Sequence, residues 1–211
     1  MDNNLAFVSK TYWDLVGEWG EDGEPDLSYH CCPAVRIGTS LGIQRTDRLH
    51  GLGEAQQPRV ADTGKRLNDL LPKGVTEWSD LRYGVDWGAK YRGWSLTNEF
   101  YLRNLYDFAG ADVDDLFDWG YYVQLGRFIV PKKLEVAGRY STVIGDSGTL
   151  GGSEHSGDEV AGTINWYIRG HNLKFQFDVS HYNGAVLSSG SGNFRAGDEG
   201  FLFRSQIQVY Y

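Results

Sequence analysis

Arginine and lysine residues recur along this chain at positions that alternate with apolar residues. In the segment 81–92, LRYGVDWGAKYR, charged residues and glycines occupy the even positions and apolar residues the odd ones. A row of like charges on one face attracts counter-ions and raises their local concentration. The chemistry that such rows offer is electrostatic guidance of small anions. The basic residues with this placement are Arg36, Arg82, Lys90, Arg103, Arg139, Arg169, Lys174 and Arg204.

The same polar positions carry fewer acidic residues, namely Asp86, Glu99, Glu135 and Asp178. This predicts an excess of four positive charges on one face, although the whole chain has a net charge of −8. The compensating carboxylates lie in EWGEDGEPD, residues 18–26, and in the segment Asp107–Asp118, which holds five aspartates. The alternative is that the arginines pair with carboxylates on neighbouring strands and brace a sheet.

A nucleophile and a base are also present, in the neighbouring residues Ser180 and His181 close to Asp178. Adjacent residues of a strand point to opposite faces, so the hydroxyl and the imidazole are predicted not to meet. We therefore predict no catalytic residue.

The candidate metal ligands lack the spacing of known sites. The five histidines are spread along the chain without the pattern of zinc ligands. The segment Asp107–Asp118 lacks the ligand order and the closing glutamate of an EF-hand. Cys31 and Cys32 are adjacent, which provides neither a disulfide framework nor metal-finger spacing, and we assign them no role. Neither a metal nor a cofactor is predicted.

The composition indicates one domain made of short strands. The chain has 211 residues, of which 28 are glycine and 14% are aromatic, a mixture typical of strands joined by tight turns. The negative net charge argues against a nucleic-acid surface. No apolar run approaches the length of about 18 residues that a membrane-spanning helix requires.

Two-residue periodicity predicts eight antiparallel strands from residue 34 onwards and a ninth around Trp13–Trp19. Residues 1–33 are predicted to form a partial strand and an acidic connecting segment, and residues 34–211 a sheet that runs up and down. The turns YRGWS, IVPKK and RGHN are short. The predicted long loops are residues 46–80, 106–118, 144–158 and 183–199. Short turns on one side and long external loops on the other are typical of outer-membrane barrels.

Periodicity alone does not separate a soluble barrel, with its apolar face inside, from a membrane barrel, with its apolar face outside. Three features favour the membrane barrel. The polar faces hold arginine and glycine rather than the residues usual on solvated sheets, aromatic residues cluster near strand ends, and the last strand ends in an aromatic residue.

Three segments resemble the carboxyl-terminal half of the phosphate-selective porin O and P family. They are LRYGVDWGAKYRGWSLTNEFYLR, NWYIRGHNLKFQFDVSHYNG and the ending FRSQIQVYY. The segment DLSYHCCPAVRIGTS resembles a stretch just past that family's midpoint. The resemblance implies a 16-stranded outer-membrane barrel, of which this chain is about half, usually assembled as a homotrimer. It also implies that Ile207, Val209 and Tyr211 form the carboxyl-terminal signal read by the outer-membrane assembly machinery.

The function implied is passive, anion-biased diffusion of small solutes through a water-filled channel in the outer membrane of a Gram-negative-type bacterium. The eight basic residues above are then the pore-lining set, and phosphate is one candidate anion. No specific phosphate site is carried over, because the family's binding residues lie largely in the other half. The alternatives are a structural or adhesive barrel without conductance, and a barrel enzyme with a site at its rim.

The amino-terminal segment MDNNLAFVSKTYWDLVGEWG has no basic region, no apolar core and no small-residue cleavage site, so it is not a signal peptide. A chain that started there would stay in the cytoplasm. We therefore expect the sequence to be a fragment or a gene product with a late start.

Overall fold

The computed structural model describes residues 5–20, 23–48, 65–150, 156–184 and 197–210. Within them, nine strands form one sheet in which each strand pairs antiparallel with the next along the chain. The strands are β1 Ala6–Val16, β2 Ala34–Asp47, β3 Glu77–Tyr91, β4 Trp94–Ala109, β5 Leu116–Val130, β6 Leu134–Ile144, β7 Ser156–Arg169, β8 Leu173–Asn183 and β9 Gly200–Val209. The all-β, up-and-down arrangement is as predicted, and the sheet is open, with β1 and β9 at its edges.

The helices are short: α1 covers Leu67–Leu70, and a 3₁₀ helix covers Ser147–Leu150. None of the helices in the described ranges is long and apolar enough to cross a membrane.

The connections alternate between two ends of the sheet, which we call the turn end and the loop end. Short turns at residues 92–93, 131–133 and 170–172 lie at the turn end, together with the connection 17–33. Arg92 and Gly93 have φ values of 47° and 80°, as in the type I′ turn whose twist matches that of the paired strands. The three tight turns that the sequence predicts are therefore present.

The loop-end connections differ from the predicted boundaries. They cover residues 48–76, 110–115, 145–155 and 184–199, so strands continue into all four predicted loops, by a single residue in the last. Polar and acidic residues at these strand ends suggested loops, yet their backbone groups still pair across the sheet, as Gln44 does with Asp80 and Arg103 with Asp118. The ninth strand exists, but it ends at Val16 rather than Trp19. Gly17 follows it with φ 62°, and a Cβ there would lie 2.6 Å from the carbonyl oxygen of Pro33.

The register divides the strands into an apolar face and a polar face. On the apolar face, large side chains point outward and remain exposed, among them Phe203 at 66% and Ile207 at 69%. On this face of the described strands, charged residues lie only within three positions of a strand end, as Arg45, Arg127 and Asp158 do. A broad apolar band with charges at its margins suits lipid rather than water.

The buried apolar core lies at the loop end, over the polar face. Leu67 and Leu71 of the β2–β3 connection pack against Trp78, Leu105 and Leu116 of the strands. Arg48 holds this connection in place, because its guanidinium donates hydrogen bonds to the carbonyl oxygens of Asn68 at 2.8 Å and Val75 at 3.3 Å. The loop end of the polar face is thus covered by the described part of this connection, residues 65–76.

Candidate permeation surface

Seven of the eight predicted basic residues share the polar face. The register carries this face from Arg36 on β2 to Arg204 on β9 without a change of side. Arg169 does not share this face. It follows a register shift after Tyr167 at the end of β7 and pairs with Leu173, a residue of the apolar face. Lys10 of β1 joins the face instead, opposite Ser40.

The predicted excess of four positive charges is wrong. The basic residues on the polar face of the described strands are Lys10, Arg36, Arg82, Lys90, Arg103, Arg139, Lys174 and Arg204. The acidic residues there are Asp14, Asp80, Asp86, Glu99, Asp118, Glu135, Glu159 and Asp178. Eight cations meet eight carboxylates, so the strands contribute no net charge to this face.

Five arginines of this face form ion pairs, as the bracing alternative expects. The distances from guanidinium nitrogen to carboxylate oxygen are 2.5 Å for Arg36–Asp14, 2.6 Å for Arg82–Asp80, 2.9 Å for Arg139–Glu159 and 2.9 Å for Arg204–Asp178. Arg103 also contacts Asp118. Four of these five carboxylates are not among the acidic residues that the sequence predicts for the polar face. Asp80 and Asp118 lie within predicted loops, Glu159 lies at a loop boundary, and Asp14 lies in the amino-terminal segment.

Two of these arginines lie side by side. Arg82 and Arg103 are directly opposite each other on β3 and β4, each held by a buried aspartate, Asp80 at 1% and Asp118 at 5% exposure. The Arg82 side chain is 56% exposed. Both arginines are among the residues that line a cavity of about 530 Å³, and so are their partners Asp80 and Asp118. The two ion pairs therefore border the same open space, and Arg82 has the most exposed of their four side chains.

Two carboxylates lie side by side further along the same strands. Asp86 and Glu99 are directly opposite each other, four residues closer to the turn end than the arginines. Lys10 Nζ lies 3.8 Å from Asp86. Glu135, also towards the turn end, accepts hydrogen bonds from Asn165 at 2.9 Å and Tyr167 at 3.0 Å. The positive pair and the negative pair are separated along the strands by the row of Gly84 and Tyr101.

The connection between β1 and β2 adds residues that periodicity did not predict. Trp19 is 8% exposed and lies over the polar face, with the Lys90 ammonium 4.2 Å from its ring centre and the Arg36 guanidinium at 5.4 Å. Glu24 accepts a hydrogen bond from Gln124 at 2.6 Å. The segment that the sequence predicts to be an acidic connection therefore forms part of the candidate site. Trp19, set among glycines and acidic residues, is the one sequence feature that indicates a contact between this segment and the polar face.

The other candidate groups stay apart. Ser180 donates to Glu159 at 2.8 Å on the polar face, whereas His181 packs against Phe201 on the apolar face, with ring centres 4.6 Å apart. Asp107, at the edge of the aspartate-rich segment, pairs with Arg45 at 2.5 Å. Within the described ranges, no three His, Cys, Asp or Glu side chains are grouped to hold a metal ion. Cys31 donates a hydrogen bond to Cys32 at 3.5 Å, which raises the pKa of the exposed Cys32 thiol.

The model of the phosphate-selective porin O and P family matches residues 46–211. The chain belongs to this family. The porin is thus a β-barrel protein of the Gram-negative outer membrane, and its family is one of channels rather than enzymes. No curated protein matches the porin sequence, and no solved structure matches it either. The β1–β2 connection of the porin, residues 17–33, lies before the matched region.

Proposed function

We propose that this porin conducts small hydrophilic solutes by passive diffusion and favours anions at the Arg82–Arg103 pair. The observation that carries the proposal is the juxtaposition of these two guanidinium groups at one cavity. Inorganic phosphate is among the anions that such a pair would contact, because guanidinium groups bind phosphate oxygens with paired hydrogen bonds.

The anion preference in this proposal comes from the position of charge rather than from net charge. A guanidinium carries five N–H donors, and an ion pair with one carboxylate does not use all of them. Asp80 and Asp118 are buried in the wall, whereas the Arg82 side chain is exposed to the cavity. At the Arg82–Asp80 pair, where the side chains are 56% and 0% exposed, a passing anion therefore approaches the cation more closely than the carboxylate.

Substitution of the arginine pair tests the proposal. A unit charge about 8 Å away in water is worth ~0.5 kcal/mol, which changes local ion concentration about two-fold. We expect Arg82→Gln and Arg103→Gln each to lower the chloride-to-potassium permeability ratio by about that factor in dilute salt. The measurement is the reversal potential of the porin under a KCl gradient in planar bilayers.

The matched control is Arg127→Gln. Arg127 lies on the apolar face and stacks on Trp94, with the guanidinium 4.7 Å from the ring centre. This variant should keep the parent's ion preference. An unchanged ratio in the Arg82/Arg103 double variant, or an equal change in Arg127→Gln, would contradict the proposal.

The second candidate is a barrel that serves a structural or adhesive role without conductance. The apolar cluster at the loop end favours it, because Leu67 and Leu71 cover part of the polar face. Conductance separates the two functions: a channel gives current steps in a planar bilayer and a closed barrel gives none.

We also propose that the complete porin is a homotrimer and that its last strand is read by the outer-membrane assembly machinery. Ile207 and Val209 support this, because they lie on the apolar face of the edge strand β9 at 69% and 61% exposure. Tyr211, the third residue of the predicted signal, lies outside the described residues. Removal of residues 207–211 should deplete the porin from outer-membrane fractions.

A further inference from the structure

Residues 17–20 and 23–33, here called the inward segment, fold back against the polar face. At one side, Trp19 covers Arg36 and Lys90. In the middle, Glu24 accepts hydrogen bonds from Gln124 at 2.6 Å and from the Tyr122 hydroxyl at 3.4 Å on β5. The inward segment therefore lies across the strands at the turn end.

A buried carboxylate anchors the inward segment. Asp26 has no exposed surface and accepts hydrogen bonds from the backbone N–H of Gly93 at 2.7 Å and of His30 at 3.1 Å. The backbone N–H of Arg92 donates to the carbonyl oxygen of His30 at 2.8 Å. These bonds tie the segment to the β3–β4 turn, so the position of Glu24 is held by the fold.

Glu24 lies among carboxylates of the strands. Its partner Tyr122 is directly opposite Glu99 of β4, and Glu99 is directly opposite Asp86 of β3. Glu24 also interacts electrostatically with Glu99 and with Glu135 on β6. Among the described residues, two cations face this group: Lys10, which interacts with Asp86 and Glu99, and Lys174, which interacts with Glu135. Two lysines thus face four carboxylates.

Other cations near the turn end are covered or paired. Lys90 is 3% exposed beneath Trp19. Arg36 is bound to Asp14, and Arg139 to Glu159. The side chains that face the open polar surface at the level of Glu24 are therefore predominantly acidic.

We propose that Glu24 is a specificity-determining residue of this porin. Its carboxylate favours cations over anions at the turn end of the pathway. The inference rests on the proposed conduction, and it adds a second selective position of opposite sign to the arginine pair. Because the inward segment lies before the family match at residues 46–211, this position belongs to the chain rather than to the matched family region.

The first test changes the charge of Glu24. In the porin purified from outer membranes, we expect Glu24→Gln to raise the chloride-to-potassium permeability ratio about two-fold in dilute salt, and Glu24→Lys to raise it further. The control is Glu18→Gln, since Glu18 is an exposed acidic residue of the same segment. This control should leave the reversal potential unchanged.

The second test examines the placement of Glu24 without using conductance. With Cys31 and Cys32 changed to serine, Glu24→Cys and Gln124→Cys are introduced together and treated with a short bifunctional thiol reagent. A cross-link closes a large loop and alters electrophoretic mobility in denaturing gels. The pair Glu18→Cys and Gln124→Cys is the control and should not cross-link.

The outcomes separate this inference from the proposed function. Absence of the 24–124 cross-link overturns the placement of Glu24 and the inference with it. Current whose ion preference responds to Arg82 but not to Glu24 overturns only the inference. Absence of any current overturns both, and the cross-link then shows that the segment is folded inward in a closed barrel.

Discussion

Individual side chains on the polar face are held along the wall by hydrogen bonds to their neighbours. Glu159 accepts from Arg139 at 2.9 Å, from Ser180 at 2.8 Å and from Ser141 at 3.3 Å. Three strands thus share one carboxylate. Charge-assisted bonds of this kind are stronger than bonds between neutral groups.

Asp118 shows what such a carboxylate contributes to stability and to selectivity. It accepts a 2.8 Å hydrogen bond from Arg103 Nε and a 3.1 Å bond from the backbone N–H of Asp146. We expect Asp118→Asn to lower the free energy of unfolding by about 1–3 kcal/mol, because a buried, charge-assisted bond is lost. The same variant should increase chloride preference, since Arg103 keeps its charge. Urea titration and reversal potentials measure the two effects.

Asp112→Asn is the control for Asp118→Asn. Asp112 is an exposed residue of the β4–β5 connection and lies outside the paired strands. Both measured quantities should stay near those of the parent. If Asp112→Asn shifts the reversal potential as much as Asp118→Asn does, selectivity is set at the loops rather than on the polar face.

Among the elements, the β3–β4 turn serves both the sheet and the inward segment. Gly93 has φ 80°, and a Cβ at this position would lie 2.6 Å from the Tyr29 ring. We expect Gly93→Ala to lower the free energy of unfolding by at least about 1–2 kcal/mol, the cost of a left-handed backbone with a side chain. The crowding against Tyr29 adds to that cost. Urea titration of the porin in lipid measures the change.

Gly162→Ala is the matched variant, because no atom lies within 4 Å of a Cβ at this position in β7. Its unfolding free energy should stay within about 0.5 kcal/mol of the parent value. Equal losses in the two variants would mean that the turn conformation and the Tyr29 contact do not matter for stability.

The strands could be predicted from sequence because side chains alternate with a period of two along each of them. The segment 81–92 shows this most clearly, and it lies wholly within β3 and its turn. Strand ends were harder to predict, since Asp80 and Asp118 are typical of loops by residue type. Their pairing depends on the neighbouring strand and not on local sequence.

The inward segment could not be predicted, because it has no periodicity and its contacts are distant in sequence. Glu24 and Gln124 are 100 residues apart. The predicted charge excess failed for the same reason: the carboxylates that neutralise the arginines are partners in space rather than in sequence. The set of basic residues, by contrast, follows from alternation alone, and seven of the eight lie together.

For the whole molecule, the short turns at one end and the long connections at the other indicate how the porin is oriented in the outer membrane. We predict that the loop end faces the outside of the cell and the turn end the periplasm, because outer-membrane barrels have long external loops. Protease added to intact cells should cut within residues 48–76 or 184–199 and spare Lys132 and Lys133. The products are identified by mass spectrometry. Cleavage at Lys132 or Lys133 in intact cells would reverse the assignment.

The spacing of the two charge pairs along β3 and β4 has an electrical consequence. Arg82 and Asp86 are four residues apart, about 13 Å along a strand, which exceeds the screening length of about 8 Å at physiological salt. A positive layer and a negative layer in series form a junction, as in a diode. When the turn side is positive, anions enter through the arginines and cations enter through the carboxylates, so both accumulate at the junction. Opposite polarity depletes them, so we expect the proposed channel to pass current more easily in one direction.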